Sequence, residues 1–271
     1  MSSISNDIRD YLQPHIHEMT NKQISLVESA SKCRLPGLAM ALIDMFSSPN
    51  SYTEMTFEDR MEKCLNGQLD AISKSRFARM YRNSGLPRKV YLSSIRPRSE
   101  AGVTPDLLRK LTELNYLEAG ANIIFMGPNG VGKSTLAIAA AVQAITRGHS
   151  VLYYSMNQFS MMLESMSSAD YIKFLKKMKS AKLCILDDWG MANLSDTIIL
   201  RLAELAEARY GTCSTIFTTQ LQRHALGNIA EKESLALSSL KDRLFRPSDI
   251  YVTLSGSSLR GTAGEIIGEK Q

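Results

Sequence analysis

The nine residues GPNGVGKST, Gly127 to Thr135, follow directly on the apolar run Ile123, Ile124, Phe125 and Met126. A short apolar run of this kind reads as a buried strand, and the residues after the lysine read as the start of a helix. Gly127, Gly132, Lys133 and Ser134 satisfy G-x-x-x-x-G-K-[ST] at every position, with Pro128, Asn129, Gly130 and Val131 between them and Thr135 after. Glycines let the backbone curl with its N–H groups inward, and the start of a helix adds a positive end, so the segment predicts a cradle for phosphate. Lys133 is then placed to bridge the outer phosphates and Ser134 to ligate magnesium. An ordinary glycine-rich turn has no need of the Lys-Ser pair.

A phosphate cradle of this type requires a carboxylate at the end of a neighbouring strand to hold the metal. The run Leu183, Cys184, Ile185, Leu186 ends in Asp187 and Asp188. Asp187 is expected to hold magnesium, directly or through water. Asp188, one residue on, is expected to orient or deprotonate the attacking water, the alternative being a solvated acid or helix cap. The next apolar run, 214–217, is followed by Thr218, Thr219 and Gln220. Gln220 or Thr219 at a strand end could hydrogen-bond that water or the terminal phosphate.

Around these segments apolar runs alternate with amphipathic stretches. Strands are expected at 122–126, 151–155, 182–186, 214–218 and 250–254, and helices at 133–146, between 157 and 180, at 196–210 and twice between 222 and 246. This alternation predicts an α/β fold, a parallel sheet with helices on both faces. Upstream, a Pro-Gly start at 36–37, a Thr56 cap and a Thr104-Pro105 start predict helices near 36–46, 57–84 and 104–116, the second being the longest. Residues 1–30 are polar and weakly periodic, and read as a tail with room for one helical segment.

The chain has 271 residues, 44% of them hydrophobic, enough for a large domain and a smaller one. No apolar run approaches the roughly 20 residues that a membrane span needs, and the N-terminus lacks a basic-then-apolar leader, so a cytoplasmic protein is expected. Cys33, Cys64, Cys184 and Cys213 are far apart and form no C-x-x-C pair, which argues against a disulfide framework or a zinc site.

Net charge is +5. Between Ala71 and Ser99 stand Lys74, Arg76, Arg79, Arg82, Arg88, Lys89, Arg96 and Arg98, with no acid among them. Arg76, Arg79 and Arg82 share a helix face read as lying opposite much of the apolar stripe Phe57, Met61, Leu65, Leu69, Ile72, Phe77 and Met80. Such a ridge suits the phosphate backbone of duplex DNA, with Lys74, Arg88 and Lys89 alongside, the alternative being a solvated charged face. A second cluster, Lys173, Lys176, Lys177, Lys179 and Lys182, is a weaker candidate.

With these elements in order, the sequence resembles the IstB-like ATP-binding proteins of insertion sequences, relatives of DnaC-type helicase loaders among the AAA+ ATPases. The matching stretches are LPGLAMAL at 35–42, TFEDR at 56–60, GPNGVGKSTLA from Gly127, GHSVLYY at 148–154, LCILDDWG from Leu183, RYGTCSTIFTTQL from Arg209, KDRLFR at 241–246 and SGSSLR ending at Arg260. The resemblance implies an AAA+ P-loop NTPase of three α/β/α layers at 104–261, preceded by a helical DNA-binding and assembly domain at 31–103 and followed by a flexible tail at 262–271. It implies ATP and Mg2+ as cofactors and an ATPase reaction. Lys133, Asp187, Asp188 and Gln220 become the reacting set, Gln220 as first sensor. Arg243 becomes an arginine finger reaching a neighbouring subunit's nucleotide, with Arg246 as its alternate and Arg260 as a second sensor on a loop. The implied partners are double-stranded DNA, a transposase and further copies of the chain with ATP at their interfaces. A helicase loader and a non-hydrolysing, ATP-gated architectural DNA binder stand as the alternatives.

Overall fold

The computed structural model describes residues 6–190, 194–227 and 235–259. The chain divides into two compact units, Met1–Ala78 and Arg79–Gln271.

The first unit is helical. Helix α1 (Asn6–Leu12) is followed by a 3-10 turn, then α2 (Asn21–Lys32) and α3 (Pro36–Ser47). Thr20 and Gln23 form a reciprocal capping box at the start of α2. Ile8, Leu12, Met19, Val27, Ala30, Ala39 and Ile43 make the core of this unit. Residues 1–30, read as a polar tail, therefore carry two helices. Their apolar residues are few, and only the packing against α3 reveals that they share one side.

Helix α4 (Phe57–Ser84) is the longest, and the expected Thr56 cap is present, with Asp59 N donating to Thr56 Oγ1 at 3.2 Å. Its early turns approach α3 so closely that a Cβ on Gly37 would lie 2.2 Å from the Gly67 carbonyl oxygen. Gln68 Oε1 there accepts from the N–H groups of Gly37 and Leu38. The helix thus packs through Gly67 and Gln68, and the stripe Phe57, Met61, Leu65, Leu69 and Ile72 is exposed. At about 100° per residue, Arg76 and Arg79 continue along that exposed side rather than opposite it, and only Phe77 and Met80 turn away from the ridge.

The second unit holds a five-stranded parallel sheet in the order β2-β3-β4-β1-β5. Its strands are β1 (Ile123–Met126), β2 (Val151–Ser155), β3 (Leu183–Trp189), β4 (Ser214–Thr219) and β5 (Ile250–Thr253), and a continuous apolar character suits strands buried on both faces. Before the sheet come α5 (Pro105–Glu113) and α6 (Asn115–Glu118). Between strands run α7 (Lys133–Thr146), α8 (Met156–Ser165), α9 (Ser168–Ser180), α10 (Asp196–Arg209) and α11 (Leu235–Leu244). Buried alanines let α7 lie close on one face, beside α5, while α8 to α11 enclose a core around Phe159, Trp189 and Phe217 on the other. Between 222 and 246 the described residues contain α11 and a 3-10 turn, Arg223–Ala225, rather than two helices.

Two departures bear on function. The segment 85–103, assigned from the sequence to the helical domain, belongs to the sheet unit. Its 3-10 turn Leu92–Ser94 packs on α7 and α5, and Ser255 N donates to Ala101 O at 3.2 Å. Strand β3 also runs past the expected 186, with a bulge between Leu186 and Trp189 that contains both acids. No helix among the described residues is long and apolar enough to cross a membrane.

Candidate functional site

The phosphate loop leaves the C-terminal end of β1 and enters α7. Gly130 and Gly132 adopt φ of +83° and +102°, left-handed values that favour glycine. The segment after β5 braces the loop, with Leu259 N donating to Gly130 O at 2.9 Å. Lys133, the first residue of α7, is 5% exposed, and its Nζ donates to the carbonyls of Gly127 and Pro128 at 2.8 Å each. A buried ammonium folded onto its own loop at the N-terminal end of a helix is a donor set that fits a polyphosphate.

Asp187, 6% exposed, is the centre of the second element. Ser134 Oγ donates to its Oδ1 at 2.8 Å and Tyr153 OH to its Oδ2 at 2.7 Å, while Thr218 Oγ1 also donates to Oδ1. A hydroxyl and a carboxylate in direct contact at the loop are hard oxygen ligands suited to magnesium, which takes few ligands from protein and the rest from phosphates and water. Burial first, and the bond to Asp187 second, push the Tyr153 hydroxyl far above its usual range, so it remains a donor.

Asp188 sits in the β3 bulge with φ +61°, uncommon for a residue with a side chain, and its amide donates to Thr218 Oγ1 at 2.9 Å. The bulge turns consecutive acids apart. Asp187 is buried toward Ser134 and Asp188 is exposed. Thr218 is engaged with both and escaped the sequence reading, as did Tyr153, because neither belongs to a contiguous motif. Of the pair Gln220 or Thr219, the Thr219 hydroxyl is used inside the fold, donating to Trp189 O at 2.8 Å and accepting from Leu221 N at 3.0 Å. Gln220 lies just beyond the end of β4, partly exposed.

Arg243 lies near the end of α11, ion-paired with Glu207 of α10 and donating to Ser239 Oγ at 2.6 Å. The next residue, Leu244, accepts through its carbonyl from Asn122 at the N-terminal ends of the strands, whereas the phosphate loop is at their C-terminal ends. Arg246 is a fold residue. It pairs with the buried Asp249 at 2.8 Å and donates to Gly120 O at 2.6 Å, while Asp249 accepts from Asn122 N. Its place as an alternate finger is withdrawn, since these bonds close the base of the sheet. Arg260 lies outside the described residues.

Lys74, Arg76, Arg79 and Arg82 are exposed on α4, and Lys89 is exposed with its Nζ 5.2 Å from the centre of the Tyr91 ring. Arg88 differs from the DNA-facing reading, because its Nη2 donates to Thr135 Oγ1 of the phosphate loop at 2.7 Å.

A parallel sheet in this order, with a glycine-lysine loop after β1 and an acid pair at the end of β3, defines a P-loop NTPase of the AAA+ type. The chain belongs to the family of IstB-like ATP-binding proteins, whose profile matches residues 28–264. It is 34% identical over 189 residues to a putative insertion sequence ATP-binding protein, y4pL, of Sinorhizobium fredii, covering 69% of this chain and 74% of that one. It is 23% identical over 245 residues to the insertion sequence IS232 putative ATP-binding protein of Bacillus thuringiensis, covering 89% and 96%. Among solved structures, DnaI shares the fold at a TM-score of 0.52 and 19% identity, over 64% of this chain and 94% of that one. AMPPCP-bound DnaA from Aquifex aeolicus does so at 0.51 and 20%, over 69% and 57%.

Proposed function

We propose that this protein is an ATP-dependent, DNA-binding transposition regulator that assembles on duplex target DNA and recruits or activates a transposase. The observation that carries the nucleotide part is the Ser134–Asp187 contact beside the buried Lys133. The transposition part is supported by relatives whose names place them in insertion sequences.

In this reading Lys133 exchanges its loop carbonyls for phosphate oxygens, and the loop amides neutralise the rest of the charge. Ser134 and Asp187 hold the metal, and Tyr153 and Thr218 keep the carboxylate oriented. Magnesium-bound ATP supplies the phosphoanhydride to be cleaved and the charge that the site answers. Asp188 takes or orients the proton of the attacking water, and Gln220 positions that water. Arg243, at the far end of the sheet, acts on the nucleotide of a neighbouring copy, which makes hydrolysis conditional on assembly. The exposed ridge Arg76, Arg79 and Arg82 grips the duplex backbone with little sequence preference.

Electron microscopy of the protein with duplex DNA tests this directly. An ordered assembly is expected with a non-hydrolysable ATP analogue and not with ADP. The same particles with either nucleotide would refute ATP-gated assembly. Phosphate release that is absent with and without DNA would instead favour ATP as a fixed structural ligand.

A further inference from the structure

Arg88 stands six residues after Arg82, past the glycine that ends α4, yet it does not continue the cationic ridge. Buried Leu86 and Val90 anchor the backbone on either side of it, and its guanidinium donates to Thr135, in the first turn of α7 directly after the phosphate loop. Three residues before it, Gly85 lies against Tyr153, a Cβ there falling 3.3 Å from the Tyr153 carbonyl oxygen, and Tyr153 is one of the residues whose hydroxyls hold Asp187. The guanidinium is therefore set beside the loop, on the side of the acid pair. A second arginine of the same segment, Arg98, brings Nη2 to 3.6 Å from the position a Cβ would take on Gly132. Among the described residues neither Arg88 nor Arg98 has an ion-pair partner.

Arg88 and Arg98 join Lys133 at the loop, three cations against the two carboxylates Asp187 and Asp188, and that excess favours an anionic ligand in their midst. Arginine suits this position because its planar fork can keep the Thr135 bond with one N–H and offer others to phosphate oxygens. We propose that Arg88 is a phosphate contact of the nucleotide site in its own subunit, and not part of the DNA-binding face. The proposal rests on the nucleotide reading of the loop and adds a cation supplied from outside the loop and the acid pair. It has a further consequence. Arg88 is joined to the end of α4 through Ser84 and Gly85, and a Cβ on Gly85 would sit 3.3 Å from the Tyr153 carbonyl oxygen. Phosphate held by Arg88 therefore fixes the chain at the foot of the helix that carries Arg79 and Arg82.

Equilibrium binding of a fluorescent ATP analogue, read by fluorescence without turnover, tests the assignment. Arg88→Ala is expected to weaken binding about tenfold or more, the usual scale for losing a charged hydrogen bond, and Arg88→Lys to fall between the two. Nucleotide-free affinity for duplex DNA at fixed salt is expected to match wild type for Arg88→Ala and to fall for Arg79→Ala. Wild-type nucleotide affinity in Arg88→Ala, or a loss of DNA affinity equal to that of Arg79→Ala, would overturn the proposal. Lys133→Ala sets the background. If the wild type itself does not rise above it, the nucleotide reading falls together with this inference, whereas a binding wild type with an unaffected Arg88→Ala sinks only the latter.

Discussion

The phenol of Tyr153 donates to Oδ2 of Asp187 at 2.7 Å while Ser134 donates to Oδ1 at 2.8 Å, so the carboxylate is held from both sides by hydroxyls from different elements. One hydroxyl comes from β2 and the other from the first turn of α7; because Oδ1 also accepts from Thr218 Oγ1, it is loss of the Tyr153 hydroxyl that leaves one oxygen of this nearly buried acid unfilled.

Removing the β2 hydroxyl isolates the positioning role. Tyr153→Phe is expected to keep the fold and to weaken magnesium-dependent nucleotide binding about tenfold, with a smaller effect on metal-free binding. Calorimetric titrations with and without magnesium check this, and equal losses in both would refute a role through Asp187.

The ridge on α4 has a distinct signature. Replacing Arg76, Arg79 and Arg82 together by alanine should lower DNA affinity for all sequences alike. It should also reduce the slope of log affinity against log salt by roughly 3, at about 0.9 per phosphate contact. Anisotropy titrations over a salt series would show the change, and an unaltered slope would return the ridge to a solvated face.

Arg243 and Arg246 are separated by what each holds. Arg246→Ala removes one member of a mostly buried ion pair and should cost about 3 kcal/mol of stability, seen in denaturant unfolding. Arg243→Ala is expected to spare both stability and nucleotide binding while suppressing phosphate release. Mixing it with Lys133→Ala subunits, which keep Arg243, should restore part of that release, and no recovery would argue against action across an interface.

Tyr116 gives a prediction in pH. Its hydroxyl is buried with no hydrogen-bond partner among the described residues, and burial raises its pKa far above the usual tyrosine range. A folded pKa above the unfolded one means that the contribution to stability is complete below about pH 10 and is lost as pH rises beyond it. Thermal midpoints should be insensitive to this group up to that point and fall above it. Tyr116→Phe should fall less steeply there, and at neutral pH should match or exceed wild type because an unpaired hydroxyl is gone.

Much of the site was readable because it is local. The loop from Gly127 to Thr135 and the pair Asp187 and Asp188 are contiguous, and their residue types are those that phosphate and metal chemistry calls for. What escaped joins distant parts of the chain. Arg88 meets Thr135 across 47 positions, and Thr218 meets Asp187 across 31. In the sequence Arg88 is one more basic residue in a basic stretch, and the pairing that sets it apart is not encoded in spacing. The helices at 6–32 were missed for a related reason, since their few inward residues become a face only once α3 is present to receive them.

The sequence by itself determined the alternation of strands and helices, the phosphate loop and the acids that answer it, because each depends on residue types within a few positions of one another. Only the tertiary structure decided that Asp187 turns inward and Asp188 outward, that Arg246 serves the sheet, and that Arg88 faces the loop instead of the ridge. Those outcomes depend on a bulge, a buried ion pair and a crossing of segments, each set by which backbones are brought within hydrogen-bonding distance when the core closes.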